Sequence, residues 1–414
     1  MNRNYVLDRR NPEKVYCDSF SSCYCGRSLL KTSGEKVFIH EKLKSVSEKC
    51  NECGLCVQEC AFLQRYGTPK MIADAYDPMN RHHQAMPFEC SLCQLCAAVC
   101  PQGISPGEMF MEMRRETVSR GGGKYPEHAP ILGYERRGHS KCFSYYTLPF
   151  GCDTIFFPGC TLCGTRPDKV RKLYEYLKTS IPKIGIVLDC CIKPSHDLGR
   201  TEHFNAVFNE MRDYLLNNGV QKVLVACPNC LKVFKKYGEG LAVKTVYEVL
   251  DEIGLPDTPR LKGSVTVHDP CPLRFEGAVH KAVRGLIEKK GLCVEEMEHS
   301  KTKSLCCGEG GMVGFVSPEL SKRWAALMGK EAGGRKVITY CAGCADLLNQ
   351  VAATNHILDL VFEPEATMKG KVKVSKTPVT YWNRIRLKRS LKNMADAGIT
   401  RERMLTSNLI GRIW

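Results

Sequence analysis

The sequence lacks several features that would place it in a membrane or assign it an organic cofactor. No apolar run approaches the roughly 18–20 residues needed to span a bilayer, and the first residues contain no apolar segment typical of a signal peptide. The chain carries no flavin or nicotinamide motif. What it has in excess is cysteine, with 25 among 414 residues. In a chain of this length these thiols indicate metal binding in a reducing cytoplasm, because disulfide scaffolds are typical of short secreted proteins.

Eighteen of the cysteines fall into four ordered groups. Two groups are compact: Cys50, Cys53, Cys56, Cys60 and Cys90, Cys93, Cys96, Cys100. Two are spread out and share one form, a lone Cys, a Cys pair and a C-x-x-C: Cys160, Cys190, Cys191, Cys227, Cys230 and Cys271, Cys306, Cys307, Cys341, Cys344. Thiolates in this number and spacing indicate several iron–sulfur clusters, and a chain with several clusters moves electrons.

Each compact group has the spacing C-x2-C-x2-C-x3-C. In two-cluster ferredoxins of this type, the fourth cysteine of each run ligates the other cluster. The pattern therefore predicts one cubane on Cys50, Cys53, Cys56 and Cys100, and a second on Cys60, Cys90, Cys93 and Cys96. A zinc ribbon is the alternative, but four cysteines in eleven residues are too compact for a pair of zinc knuckles, and the motif occurs twice.

The spread groups lie in a region where short apolar runs alternate with helical patterns, which predicts an α/β fold. Predicted strands at 153–157, 183–188, 222–226, 264–267 and 336–340 are each followed at once by a grouped cysteine, whereas Cys306 follows the weaker TKSL. Because ligands bind at the carboxyl ends of strands in open α/β sheets, we expect these cysteines to converge. The two groups repeat with offsets of 111–116 residues, which indicates two copies of one module facing each other across a pseudo-twofold.

The pieces FPGC ending at Cys160, DCC at 189–191, CPNC at 227–230, HDPC ending at Cys271, LCCGEGG at 305–311 and CAGC at 341–344 resemble the heterodisulfide reductase D-type iron–sulfur subunits. The family is related to anaerobic glycerol-3-phosphate dehydrogenase C-type subunits and to lactate and glycolate oxidase iron–sulfur subunits. The resemblance implies a non-cubane [4Fe–4S] cluster in each five-cysteine module and disulfide chemistry between them. Because the second module keeps the Cys-Cys-Gly signature, the catalytic role is expected there first: Cys271, Cys306, Cys307, Cys341 and Cys344. His268 would donate a proton to a leaving thiolate, or would instead hydrogen-bond its own turn.

The first module departs from the Cys-Cys-Gly signature, because Ile192 stands where the second module has Gly308. Glycine lets backbone lie close to a cluster, and a β-branched residue takes unusual dihedrals only at a cost. The first module is therefore expected to hold a non-cubane cluster closed to substrate, a different cluster or a zinc, for a total of one or two non-cubane clusters. Gly308, Gly310 and Gly311 are expected to allow close approach of the backbone to the cofactor.

The predicted fold is an α+β, ferredoxin-like domain with two [4Fe–4S] clusters, followed by two pseudo-repeated α/β cysteine-rich modules. The predicted divisions are an N-terminal extension (1–45), the two-cluster domain (46–120), a linker (121–152), module one (153–255), module two (256–365) and a basic C-terminal tail (366–414). Among the remaining cysteines, Cys163 is a candidate spare ligand, and Cys17, Cys23 and Cys25 are candidates to cap another metal; free buried thiols are the alternative.

The tail carries twelve Lys or Arg and two acids between residues 369 and 414. This composition is that of a solvated helix or a flexible tail, or of a segment that docks on an anionic partner or on the membrane surface. Nucleic acid is not an expected partner. The expected location is cytoplasmic, with peripheral contact to the membrane through this tail.

The leading hypothesis is an iron–sulfur oxidoreductase that passes electrons through two cubanes to reduce, or form, a disulfide of a small thiol compound. The alternative is an electron-relay subunit that links a flavin dehydrogenase to membrane quinone or a cytochrome. In both cases the electron donor is another chain: a flavoprotein, a hydrogenase or a membrane cytochrome or quinone protein.

Overall fold

The computed structural model describes the backbone of residues 33–404 and the side chains of residues 39–404. Cys17, Cys23 and Cys25 lie outside the described residues. Within that range no helix combines the length and the apolar character needed to cross a bilayer.

The first part of the described chain is helical and surrounds the two compact cysteine groups. Its apolar core includes Phe62, Met109 and Met113, and its longest helices, the first and the seventh, pack against each other. The helices are α1 (Ser33–Lys49), α2 (Leu55–Glu59), α3 (Ala61–Tyr66), α4 (Pro69–Ala75), α5 (Arg81–Ala85), α6 (Leu95–Ala98) and α7 (Pro106–Ser119), with a 3₁₀ turn at Met86–Glu89.

Residues 121–152, predicted to be a linker, contain helix α8 (Ala129–Gly138) and strand β1 (Tyr145–Pro149). All five residues of β1 are buried, and the strand pairs antiparallel with a strand of module one. The linker prediction was therefore wrong for this stretch: the aromatic and β-branched residues of β1 complete a sheet.

Module one alternates strands and helices as predicted. Its elements are β2 (Thr154–Phe157), α9 (Cys160–Thr165), α10 (Pro167–Ser180), β3 (Gly185–Leu188), α11 (Lys193–Asp197), α12 (Thr201–Asn217), β4 (Lys222–Val225), α13 (Pro228–Tyr237), β5 (Ala242–Thr245) and α14 (Val246–Ile253).

Module two is built in the same way around a smaller sheet. Its elements are β6 (Ser264–His268), α15 (Gly277–Lys289), β7 (Cys293–Val294), α16 (Val313–Val316), α17 (Pro318–Ala332), β8 (Val337–Thr339), α18 (Ala342–Leu348), β9 (Thr354–His356), α19 (Ile357–Phe362) and α20 (Pro364–Met368). The TKSL segment forms no strand; a 3₁₀ turn at Lys301–Lys303 stands there.

The chain ends its described part with α21 (Val379–Asn393) and β10 (Gly398–Arg401). These elements correct the prediction of a separate basic tail. Helix α21 packs against α9 and α10 of module one, and five of its side chains are buried: Asn383, Arg384, Leu387, Lys388 and Leu391. Strand β10 pairs antiparallel with β1, so this segment builds one edge of module one.

The two sheets place the spread cysteines at strand ends. The larger sheet has the order β10-β1-β3-β2-β4-β5 and the smaller has the order β7-β6-β8-β9. The strands of the smaller sheet, and β2 to β5 of the larger, run parallel. All five predicted strands are present, and the residues that follow their carboxyl ends include Cys160, Cys190, Cys227, Cys271 and Cys341.

Candidate metal centres

The two compact cysteine loops share an unusual backbone. Glu52 and Gly54 have positive φ angles of 55° and 78°, and Leu92 and Gln94 have φ angles of 51° and 61° at the equivalent positions of the second loop. Non-glycine residues adopt this left-handed region rarely, and mostly where the surrounding structure requires it. The matched pattern shows that both loops wind around their cysteines in the same way.

The cysteines of these loops line two small cavities, one with Cys50, Cys53, Cys56, Cys96 and Cys100 and the other with Cys60, Cys90, Cys93 and Cys96. Burial raises the pKa of Cys56 to about 11, and the neighbouring charges of Cys50, Cys100 and Cys53 add to the shift. Around the second set, burial raises the pKa of Cys96 well above its usual value, with Cys93, Cys90 and Cys60 contributing most among the neighbouring charges. Each compact run thus sends its fourth cysteine to the other set.

The donor chemistry of these sets fits iron–sulfur clusters. Thiols that crowd together in an apolar environment ionise with difficulty, as the pKa of Cys90, raised by burial to about 12, illustrates. Four sulfur ligands become stable as thiolates when a metal centre supplies positive charge. Cysteine sulfur is the ligand that [4Fe–4S] clusters take.

The five cysteines of module one also come together. Hydrogen bonds join Cys160 to Cys190, and they join Cys230 to both Cys191 and Cys227. The bond from Cys190 lowers the pKa of Cys160 to about 6. Cys163, a candidate spare ligand, is buried near Cys160 and Cys227, so module one brings six thiols to one place.

Module two joins its cysteines in a similar chain. Cys306 hydrogen-bonds with Cys271 and Cys307, and Cys344 hydrogen-bonds with Cys341. The Sγ atoms of Cys344 and Cys307 lie 3.1 Å apart. All five predicted residues of each module are therefore neighbours in space.

Ile192 does not change the turn after the cysteine pair of module one. Its φ is 58° and its ψ is 25°, a left-handed conformation, and Gly308 has a φ of 98° at the corresponding position. In module two the Gly308 amide donates a hydrogen bond to Cys306 Sγ at 3.3 Å. Module one thus keeps the left-handed turn, with the strain of a β-branched side chain that is fully buried.

The second compact loop touches module two. A hydrogen bond from Cys306 lowers the pKa of Cys93 to about 6, so a cysteine of the second predicted cubane lies in direct contact with a cysteine of module two. Leu95, Trp324 and Met328 belong to the same buried cluster as these two cysteines. The contact places the second compact cysteine set beside the cysteines of module two.

Gly310 and Gly311 allow module two and the second compact loop to lie close together. A side chain on Gly310 would meet Ser91 O at 2.6 Å, and one on Gly311 would meet Cys90 O at 2.5 Å. A side chain on Gly308 would meet Ser321 O at 2.4 Å. The glycines do allow close backbone approach, but the atoms nearest to them belong to the protein backbone, so the structure gives them a packing role.

His268 is fully buried beneath the cysteine pair of module two. Its ring nitrogens contact Thr339 Oγ1 at 3.2 Å and Leu305 O at 3.3 Å, and burial lowers its pKa. Both contacts reach beyond its own turn, and one holds the backbone directly before Cys306. His268 is therefore a positioning residue in this structure.

A small cavity of about 20 Å³ lies between the two modules. Its lining includes Cys227 of module one, Cys341 of module two and the carboxylate of Glu309. Glu309 is an exposed residue, but crowding of its carboxylate by protein atoms and the charge of Cys307 raise its pKa to about 8. Its carboxylate also lies within 4.8 Å of ligand atoms of Cys307 and Cys344. Sequence reasoning missed Glu309, although it stands inside the CCGEGG segment.

Two side chains clamp the modules together at this interface. The Tyr247 hydroxyl donates to Ala226 O at 2.5 Å and lies 3.1 Å from Tyr340 O, and these two carbonyls directly precede Cys227 and Cys341. Arg166 of module one forms a buried ion pair with Asp359 of module two at 2.9 Å. Neither residue carries a sequence signal that distinguishes it from an ordinary core or surface residue.

A third residue, Arg114 of α7, joins the helical part to both modules. Its fully buried guanidinium donates to four carbonyl oxygens at 2.6–2.9 Å, those of Pro87, Cys90, Asp197 and Gly311. Cys90 belongs to the second compact loop, Asp197 to module one and Gly311 to module two. One side chain therefore fixes three parts of the molecule relative to one another.

Comparison with known families agrees with this arrangement. The 4Fe-4S dicluster domain matches residues 46–104, and the cysteine-rich domain CCG matches residues 154–235 and 265–349. The chain belongs to the CCG-domain iron–sulfur protein family that includes the D-type subunits of heterodisulfide reductase. As a member of this family it is an iron–sulfur electron-transfer protein.

Three relatives show the range of this family. An uncharacterized iron–sulfur protein of Methanocaldococcus jannaschii is 26% identical over 62% of this chain and 56% of its own length. The D-type subunit of the dihydromethanophenazine:CoB–CoM heterodisulfide reductase of Methanosarcina mazei is 25% identical over 66% of this chain and 80% of its own. An EtfAB:quinone oxidoreductase of Syntrophomonas wolfei is 22% identical over 54% of this chain and 36% of its own. The chain thus spans little more than half of the first of these relatives and about a third of the last.

Proposed function

We propose that this protein receives electrons at its helical two-cluster domain and delivers them to module two, where a small thiol or disulfide compound reacts. Four centres are proposed: two cubanes on the crossed compact sets, a non-cubane cluster in module two, and a second non-cubane cluster, or a zinc, in module one. When bound, iron–sulfur clusters supply one-electron transfer. The chain's own contribution is to hold the centres in a fixed order and to exclude water from them.

The contact between Cys93 and Cys306 carries this proposal. It supports an order in which the second compact loop serves as the exit toward module two. The sulfur ligands on both sides are buried among apolar side chains, which disfavours reaction with water or oxygen along the way. Arg274 supports the same contact, because its buried guanidinium donates to Cys93 O at 2.8 Å and to Ser304 O at 2.8 Å.

The interface cavity favours a second candidate function, an electron relay between a flavin dehydrogenase and membrane quinone or a cytochrome. A space of about 20 Å³ holds roughly one water molecule, so an organic disulfide could enter only if the modules moved apart. The relatives named as an EtfAB:quinone oxidoreductase and a probable membrane-anchored ferredoxin support this alternative. In either case the donor is a separate redox subunit.

A docking face for that subunit, or for a membrane surface on the cytoplasmic side, is proposed on α21. Trp382 is 63% exposed, and Arg386 and Arg389 are exposed one and two turns further along. The spacing of these residues places an aromatic ring and two cations on one face of the helix. Such a face suits a partner with acidic groups or a membrane with anionic lipids.

Iron analysis and electron paramagnetic resonance of the anaerobically purified protein test these proposals. Four four-iron clusters require about sixteen iron atoms per chain. A content of about eight iron atoms and one zinc would contradict the proposed non-cubane clusters. For the oxidised protein we expect a paramagnetic signal that changes when a thiol such as 2-mercaptoethanesulfonate or dithiothreitol is added. Full iron content without any response to thiols would exclude thiol chemistry and leave the relay.

A further inference from the structure

Arg384 is a buried cation without a carboxylate partner among the described residues. Its side chain, on α21, is 3% exposed. The guanidinium packs 4.6 Å from the Phe143 ring centre and 5.5 Å from that of Tyr134. Its Nη2 donates a long hydrogen bond of 3.3 Å to Gly138 O, and its buried Nη1 has no hydrogen-bond partner. A buried charge of this kind is unfavourable unless an anion lies nearby.

The nearest source of negative charge is the cysteine set of module one. A Cβ atom added to Gly138 would lie 3.6 Å from Cys190 Sγ and 3.7 Å from Arg384 Nη2. The thiol and the guanidinium are therefore both close to Gly138. Arg384 therefore faces the sulfur ligands of module one.

The acids near these thiols have partners other than Arg384. Asp189 forms a fully buried ion pair with Arg403 at 3.1 Å. Glu135 accepts a hydrogen bond from the Ser195 amide at 2.8 Å and lies 3.7 Å from His203 Nε2. The charge of Arg384 is thus left for the cysteine set alone.

Module two has a different electrostatic environment. The carboxylate of Glu309 stands beside Cys307 and Cys344. In module two the buried guanidinium of Arg274 is satisfied by Cys93 O, Thr302 O and Ser304 O, whereas Arg384 Nη1 has no hydrogen-bond partner.

We propose that Arg384 is the countercation of the centre held by module one, and that it raises the reduction potential of that centre. The inference rests on the proposed function, because it requires an iron–sulfur cluster in module one. Reduction of that centre would add one electron, and hence one negative charge, beside the guanidinium. A fixed positive charge favours the more negative state, and charge near the cluster is one of the factors that set its potential.

Arg384 belongs to a helix that is not part of either CCG domain of this chain. Helix α21 lies outside both segments that match the CCG domain, 154–235 and 265–349. The basic segment after module two thus contributes an inward-facing charge as well as outward-facing ones. Arg386, two residues further on, is exposed and provides a matched control for loss of one positive charge from the same helix.

The test is a potentiometric titration of the full-length, cluster-loaded protein, followed by electron paramagnetic resonance, for the wild type, Arg384→Met, Arg384→Lys and Arg386→Met. We expect Arg384→Met to lower the midpoint potential of one cluster and to leave the other three unchanged. Arg384→Lys should restore much of the wild-type value, and Arg386→Met should equal the wild type. Unchanged potentials in Arg384→Met at full iron content would overturn the inference.

Loss of the cluster from Arg384→Met is also informative. If Arg384→Lys retains the iron that Arg384→Met loses, the positive charge is what the centre requires, which supports the inference. If both variants lose the same iron, the guanidinium acts by packing, and the countercation role is wrong. Wild-type protein with only about eight iron atoms would instead contradict the proposed function itself.

Discussion

At the scale of single residues, left-handed backbone marks the metal-binding loops. Two positions between cysteines in each compact loop, and the position after each cysteine pair, have positive φ. For a non-glycine residue such as Ile192 this conformation costs about 1–2 kcal/mol. In module one this strained conformation holds the cysteine pair in the same kind of turn that Gly308 forms in module two without conformational strain.

Gly308→Ala tests whether this turn is required in module two. The added Cβ would lie 2.4 Å from Ser321 O, at a φ of 98°, so we expect destabilisation by more than about 1 kcal/mol and loss of about four iron atoms. Gly314→Ala is the matched control, because its Cβ would meet only Ser321 Oγ, at 3.3 Å. Thermal unfolding and iron content measure both effects. Equal behaviour of the two variants would contradict the argument.

At the scale of elements, the sequence predicts what local patterns determine and misses what long-range pairing determines. The five strands that precede cysteines and the helices between them are visible as apolar runs and helical periodicity. Strands β1 and β10 complete the larger sheet by antiparallel pairing over more than 240 residues, which no local pattern encodes. The basic composition of α21 indicates exposure, yet Arg384 and Lys388 are buried, because aromatic rings, thiols and carbonyls offer them partners.

The candidate site also has parts that local sequence patterns predict and parts that they do not. The spacing of the compact groups, together with the ligand pattern of two-cluster ferredoxins, predicts the crossed cubane ligands. The contact of Cys93 with Cys306 and the clamp made by Tyr247 depend on how separately predicted parts dock. Docking surfaces are made of ordinary core and surface residues, so they carry no motif.

One docking contact between elements is predicted to respond to pH. His299 lies between Glu59 of α2 and Glu331 of α17. Burial opposes its charge, but the hydrogen bond and charge of Glu331, together with Glu59, raise its pKa. Since the folded pKa is raised, this stabilisation is fully present below the ordinary histidine pKa of about 6.5 and is lost as pH rises through the folded value.

His299→Gln isolates this contribution. Wild type should exceed the variant in unfolding free energy by about 1 kcal/mol at pH 6, and the difference should shrink toward zero by about pH 9, above any moderately raised histidine pKa. Urea midpoints measured anaerobically across this range provide the comparison. A difference that stays constant with pH would show that the imidazole contributes by shape and not by charge.

At the scale of the whole molecule, Arg114 determines whether the three parts act as one unit. Its guanidinium is the common donor to four buried carbonyls, one of them on Cys90 and one on Gly311, close to where the second compact loop meets module two. A planar guanidinium can serve several acceptors at fixed angles, which a lysine ammonium cannot match. The proposed order of metal centres therefore depends on a residue that is not among their expected ligands.

Arg114→Met tests this dependence. Leaving buried carbonyls without donors should cost about 3–4 kcal/mol of stability, because methionine fills much of the space but donates no hydrogen bond. Arg115→Met is the control, since Arg115 is only half-buried and bonds Glu112 and Tyr237 instead. Beyond the lower unfolding temperature, we expect slower reduction of the module signals by dithionite, with the cubane signals reduced at the wild-type rate, because the loop that carries Cys93 is no longer held against Cys306. If the module signals are reduced as fast as in Arg115→Met, Arg114 contributes only to stability, and the contact of the second compact loop with module two is maintained by Arg274 and the apolar cluster around Trp324.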